Sequence, residues 1–430
     1  MNRRGFIQKT ALATAGVFVA PYLLPTGRLF ASTGSRIANH VVFCLFAGGI
    51  RNQESIGKYD GNLMLNMLSG TESITSDISN AMTILPLLQT STNTLQTQGT
   101  LYNNFMYKSG PTGYYNGNVA AITGTYSPTP LDLKKHPENP TIFEYYRKHA
   151  NPANSALNSW WVNTAAGPYL SLNYSNDPNY GSGYGANMLQ RELLRSYDNQ
   201  INNIGATFSA TEQQLVNNLK GFLNKNFTTQ ASATSIENKL TDRDRLDNFF
   251  STQMAKNWSE PWIISGIDKT TMNRDMHNVA IAETVIQEFK PELLVVNMTD
   301  VDIAHTNFVE YCNNLRKADY ALAKLWQTIQ STPGMANDTV LIVAPEHGRN
   351  ALGNGIFVNG REALDHTGDQ SSREIFCMML GKNIKQNQLI PTGGETIDIV
   401  PTIAHILGFY NDIPTQYKTN MGDPLYSAFM

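Results

Sequence analysis

Leu293-Leu294-Val295-Val296-Asn297-Met298-Thr299-Asp300-Val301-Asp302-Ile303-Ala304-His305 is the stretch on which the fold turns. Its first five residues form a short, mostly apolar run, as expected of a strand buried on both faces of a sheet. Two carboxylates and an imidazole then fall within six residues. Upstream, residues 272–289 carry helical periodicity (Met276, Val279, Ala280, Phe289), and downstream 307–330 predict a long amphipathic helix. The same alternation continues. Thr339–Ala344 reads as a strand and runs into Pro345-Glu346-His347-Gly348-Arg349. Asp365-His366-Thr367-Gly368-Asp369 precedes a third apolar run, Glu374–Leu380. Residues 395–407 predict a helix stopped by Gly408. Near the start of the chain, His40–Phe46 is a continuous apolar run ending at Gly48-Gly49. Strands alternating with helices predict an α/β fold: a mostly parallel central sheet with helices on both faces. In that architecture, ligands sit outside the carboxyl ends of the strands.

The polar clusters lie where that rule puts chemistry. Asp300, Asp302 and His305 could chelate one divalent ion, and oxygen and nitrogen donors of this kind suit zinc or manganese. Glu346 and His347 could face one ion if the turn is sharp. His366 sits in a loop before a strand. Each cluster also has a structural reading: a helix cap, a surface turn, a polar loop. Arg51 and Arg349 are candidate clamps for an anionic group, because guanidinium forks suit phosphate.

Elsewhere, residues 61–88 predict a helix, Leu101–Tyr107 a short strand, 118–123 the opening of a helix, and 140–148 another short helix. The stretch 150–270, rich in Asn, Ser, Gly and Tyr, reads as an insertion or cap with helices near 187–203 and 211–225.

The chain has 430 residues, 41% hydrophobic and 10% aromatic, which excludes wholesale disorder. Only 16% are charged, against about 25% in an average soluble protein. That deficit points outside the cytosol. A net charge of -3 argues against a nucleic-acid binder. Cys44, Cys312 and Cys377 contain no CxxC pair, so neither a disulfide framework nor a zinc knuckle is expected. Arg3-Arg4, Phe6 and Lys9, followed by an apolar stretch to about Leu24, make residues 1–31 a signal peptide resembling the twin-arginine export type. No other run reaches the ~18 apolar residues of a spanning helix, so the mature chain is expected without one, exported or periplasmic.

Taken together, Asn297–His305, Glu346-His347-Gly348, His366 and the helix signature Thr396–Gly408 resemble the alkaline phosphatase superfamily, which includes sulfatases, phosphodiesterases and phosphoglycerate mutases. The resemblance implies an alkaline-phosphatase-like core over 32–149 and 271–430, with 150–270 as a private insertion or cap. It implies one or two divalent ions, zinc or manganese. Asp300 or Asp302 with His305 and His366 would hold one, and Glu346 with His347 the other. The acid that this family places at the end of its first strand is absent after Phe46. Glu54 is the nearest possible surrogate ligand. Counting from Thr123-Gly124 puts the nucleophile near Tyr114, and Thr112 is the better-suited hydroxyl, hence the candidate catalytic residue. The implied function is an exported, metal-dependent hydrolase of phosphate or sulfate esters acting on an anionic substrate. The alternative is a catalytically degenerate member that binds a periplasmic protein or glycan partner.

Overall fold

A computed structural model describes residues 34–59, 61–70, 93–130, 135–150, 155–164, 169–192, 194, 238, 240–256, 258, 262 and 272–430. The proposed leader lies outside the described residues, as do most of 61–88 and the helix expected near 211–225.

Eight strands form one sheet. They are β1 His40–Phe46, β2 Gly99–Met106, β3 Ser159–Asn163, β4 Asn187–Gln190, β5 Leu293–Met298, β6 Thr339–Pro345, β9 Glu374–Gly381 and β10 Gln388–Ile390; β7 Phe357–Val358 and β8 Arg361–Glu362 make a separate small hairpin. The sheet order is β10-β2-β9-β6-β1-β5-β3-β4. All neighbours are parallel except β9, which runs antiparallel to both β2 and β6. The mostly parallel α/β class expected from the sequence is the class observed.

β1 lies at the centre, with Cys44 opposite Val296 of β5 on one side and Val343 of β6 on the other. Its pleat sends alternate residues to two cores. Val42, Cys44 and Phe46 join one cluster; Val41, Phe43 and Leu45 join the other. Among the described residues, five longer helices cover these faces. They are α1 Tyr114–Thr123, α2 Leu240–Met254, α3 Arg274–Phe289, α4 Phe308–Ser331 and α5 Ile399–Ile406. Residues of α2, α3 and α4 pack in the first cluster, and residues of α1 and α5 in the second. Burial on both faces explains why the strands read as continuous apolar runs. All three cysteines are buried.

Two local expectations fail. Residues 61–70 form turns rather than a helix. Their apolar side chains, among them Met64, Met67 and Leu68, are buried all the same. The Asp319 carboxylate on α4 accepts the backbone N–H groups of Asn66 and Met67, both at 2.8 Å, and so replaces the bonds a helix would supply. The start of the helix expected at 187 is instead strand β4, which pairs with β3. The stretch 150–270 thus gives two strands to the edge of the central sheet.

Candidate active site

Parallel strands β1, β5 and β6 end on one edge of the sheet. Antiparallel β9 begins there, so the loop before it returns to the same edge. This topology collects the Gly48-Gly49 turn, the 3-10 turn Asp300–His305, Glu346–Arg349 and the loop around His366.

Glycine permits the close approach. A Cβ at Gly48 would lie 2.7 Å from Asp302 Cβ, and one at Gly49 would lie 2.5 Å from His347 Nδ1. Both residues also have positive φ, +124° and +77°. On α1, a Cβ at Gly117 would meet Glu346 Cβ at 3.0 Å and His347 Cδ2 at 3.1 Å.

Glu346, His347 and Arg349 are wholly buried. Glu346 accepts from Gly48 N at 2.5 Å and from Asn118 Nδ2. Burial pushes its carboxyl well above the usual range. His347 Nδ1 donates to Gly348 O at 2.7 Å, which fixes the tautomer and leaves a lone pair on Nε2. That Nε2 has no hydrogen bond, yet it lies 3.2 Å from Glu346 Oε1. Two facing lone pairs at that distance call for a proton or a cation between them. Burial, above all, lowers the His347 pKa to about 3, so the ring is neutral.

Three imidazoles gather here. The His366 ring centroid is 4.3 Å from that of His347 and 4.7 Å from that of His305. His366 Nδ1 is also buried without a hydrogen bond, and burial lowers its pKa to about 3. His305 Nδ1 pairs with Asp365 Oδ1 at 2.7 Å, and its Nε2 lies 3.4 Å from Asp302 Oδ1. The hydrogen bond from His305 holds the Asp365 carboxyl below its ordinary value.

The structure separates the two aspartates. Asp302 joins the histidines. Asp300 turns away: its carboxylate accepts Arg274 N at 2.6 Å at the start of α3 and pairs with the Arg274 guanidinium. It thus meets the first turn of α3 from outside the helix, whose own N-cap is Asn273. Glu54 is likewise engaged elsewhere, because Arg51 Nε donates to both of its oxygens at 2.9 Å. Arg51 Nη1 bonds Ala351 O at 2.9 Å. Thr112 Oγ donates to the backbone carbonyl of His366, so it anchors the loop that carries that ring. The Tyr114 hydroxyl pairs with that of Tyr169.

Asn118 is a site residue that the motif search did not single out, and Asp365 is one that it quoted beside His366 without giving it a role. Asn118 Nδ2 reaches Glu346, and its Oδ1 accepts from Asn297 of β5 at 3.3 Å. A signal was present: the polar Asn116-Gly117-Asn118 at the head of a helix that continues Val119-Ala120-Ala121-Ile122. Asp365 adjoins His366 but serves His305.

Among the described residues, no three His, Cys, Asp or Glu side chains stand close enough as placed to hold one ion. The donor chemistry nevertheless fits a borderline divalent ion. Two neutral imidazoles each leave a buried nitrogen unmet, at a cost of about 1–3 kcal/mol apiece if nothing binds them. Leu364, whose carbonyl Arg349 holds, helps to line a cavity of about 570 Å³ together with Arg51, Leu352, Phe357, Arg361 and Glu362, among others.

No family model and no curated protein matches the chain. Solved structures of the alkaline phosphatase superfamily are similar to it. A superfamily protein from Vibrio parahaemolyticus is 14% identical over 90% of this chain and 71% of its own, with a TM-score of 0.43. Wild-type alkaline phosphatase PafA is 10% identical over 91% and 99%, with a TM-score of 0.48. The PsFucS1 sulfatase from Pseudoalteromonas sp. is 11% identical over 90% and 72%, with a TM-score of 0.43.

Proposed function

We propose that the chain is an exported, metal-dependent hydrolase of phosphate or sulfate esters, with Asp302, His305 and His366 as its principal ion ligands. The observation that carries this reading is the cluster of His305, His366 and Asp302, in which the buried, neutral His366 ring leaves its Nδ1 unmet. A bound divalent ion, zinc or manganese, would neutralise charge on the ester's non-bridging oxygens. The chain's own residues do the rest. Asp365 fixes the His305 tautomer so that Nε2 carries the lone pair. Gly348 O does the same for His347. Thr112 is a positioning residue in this reading, since its hydroxyl is taken up by the His366 carbonyl. Water is then the nucleophile. The adjoining cavity, with Phe357 and Leu352 on its exposed rim, would receive the organic part of the ester.

The test is turnover of aryl phosphate, phosphodiester and aryl sulfate by the zinc- or manganese-loaded protein. One class should be hydrolysed, and His305→Ala should lower that kcat/KM by roughly 100-fold or more. The Arg51–Glu54 pair, which leaves no surrogate acid at the end of β1, favours a second reading: a degenerate member that binds a periplasmic partner. Absence of turnover on all three classes with metal supplied would select it.

A further inference from the structure

Arg349 was expected to clamp an anion, yet its guanidinium faces only protein. It is wholly buried on the turn after β6. Nη2 donates to Gly48 O and to Asp302 Oδ1, the latter at 2.9 Å. Nη1 donates to Leu364 O at 2.9 Å, and Nε to Gly49 O at 3.4 Å. Four of the five N–H donors of an arginine are thereby engaged. One cation thus joins the end of β1, the turn after β5, the turn after β6 and the loop before β9. It does so through three carbonyls and one carboxylate, the oxygen donors that a bound metal ion would take from those segments.

The end of β1 is built for this. Gly48 and Gly49 offer carbonyls and no carboxylate. A side chain at either position would strike Asp302 or His347, so an acid cannot be housed there. Glu346, the other carboxylate nearby, already accepts from Gly48 N and Asn118 Nδ2. What remains without a partner lies on the imidazole side: His347 Nε2 and His366 Nδ1. His305 Nε2 and Asp302 meet there.

We infer that the Arg349 guanidinium is a permanent, tethered cation between the end of β1 and Asp302, and that the site therefore takes one divalent ion, on its imidazole side, and not two. This rests on the metal-dependent reading above and decides a stoichiometry that the sequence leaves open. An arginine stays charged at any working pH, so a second divalent ion at the carbonyls of Gly48 and Gly49, which the guanidinium itself holds, would meet a fixed like charge.

The full-length chain, stripped with chelator and dialysed against excess zinc, tests this by elemental analysis of metal per chain. The wild type should saturate at one zinc. Two zinc ions per chain would overturn this inference and leave the metal-dependent reading standing; none would overturn both. Arg349→Met, if folded by circular dichroism, should take up a second zinc at least tenfold more weakly than the first. A folded Arg349→Met that still binds one zinc would also overturn the inference. Should that variant fail to fold, the wild-type count decides alone.

Discussion

His347 is neutral and buried, with one ring nitrogen bonded to Gly348 O and the other facing Glu346. His366 is its counterpart from the loop before β9. Both titrate near pH 3 in the fold, against an ordinary 6.5, because burial opposes their charging. The unfolded chain therefore takes up protons between about 6.5 and 3 that the folded chain refuses. Their contribution to stability is full above 6.5 and is lost as pH falls through that window. Glu346, with its raised pKa, works in the opposite sense above its ordinary 4.5. Comparing the metal-free wild type with His366→Gln isolates the histidine contribution. The wild-type urea midpoint should fall more between pH 7 and pH 5; equal falls in both proteins would refute the assignment. Asp365 acts through His305, so Asp365→Asn should weaken zinc binding by roughly 10- to 100-fold in a competition titration. Unchanged affinity would remove Asp365 from the site.

The elements that meet at this edge depend on what is missing from their side chains. Gly117→Ala should raise the intrinsic helix propensity of α1 by about 1 kcal/mol, but the added Cβ presses on Glu346 and His347. Overpacking of this kind costs about 1–3 kcal/mol, so a net loss in the urea midpoint is expected; a gain would show that α1 can shift. On α4, Asp319 accepts three bonds from segment 66–67 at 2.8 Å. Asp319→Ala leaves those buried donors unmet and should destabilise the fold by roughly 2–4 kcal/mol, with faster amide exchange at Asn66 and Met67. The same contact explains why residues 61–70 misled the helix expectation. Leu63, Met64, Met67 and Leu68 have helix-like spacing, but a distant carboxylate replaces the local hydrogen bonds. Periodicity records burial, and it cannot name the partner that satisfies the backbone. β4 fails for a related reason: Leu189 is buried by pairing with β3 across sequence, not by a turn of helix.

For the whole molecule, β1, β2, β5, β6 and β9 were legible because burial makes apolar runs, whereas the edge strands β3, β4 and β10 were not; the acid and histidine residues near the ends of β5, β6 and β9 fall on one edge. Strand direction was not legible from the runs. The antiparallel sense of β9 is what returns His366 to that edge. Its signal was the lack of a long helix between β6 and β9, since a parallel crossover needs one. Nor could spacing reveal that Asp300 pairs with Arg274 at the start of α3 while Asp302 turns inward, or that Arg349 faces carbonyls. Cys44, Cys312 and Cys377 are all buried, and burial raises the Cys44 and Cys377 thiols far above their ordinary value. A thiol reagent should therefore titrate none in the native protein and three after unfolding; rapid native labelling would contradict the packing. The central claim is that one divalent ion sits among His305, His366 and Asp302 beside the fixed guanidinium. X-ray absorption at the zinc edge of the loaded full-length protein tests it most directly. The account predicts at least two imidazoles in the shell of a single zinc, with one lost in His305→Ala. A shell of water and carboxylate oxygens alone, unchanged in that variant, would contradict it.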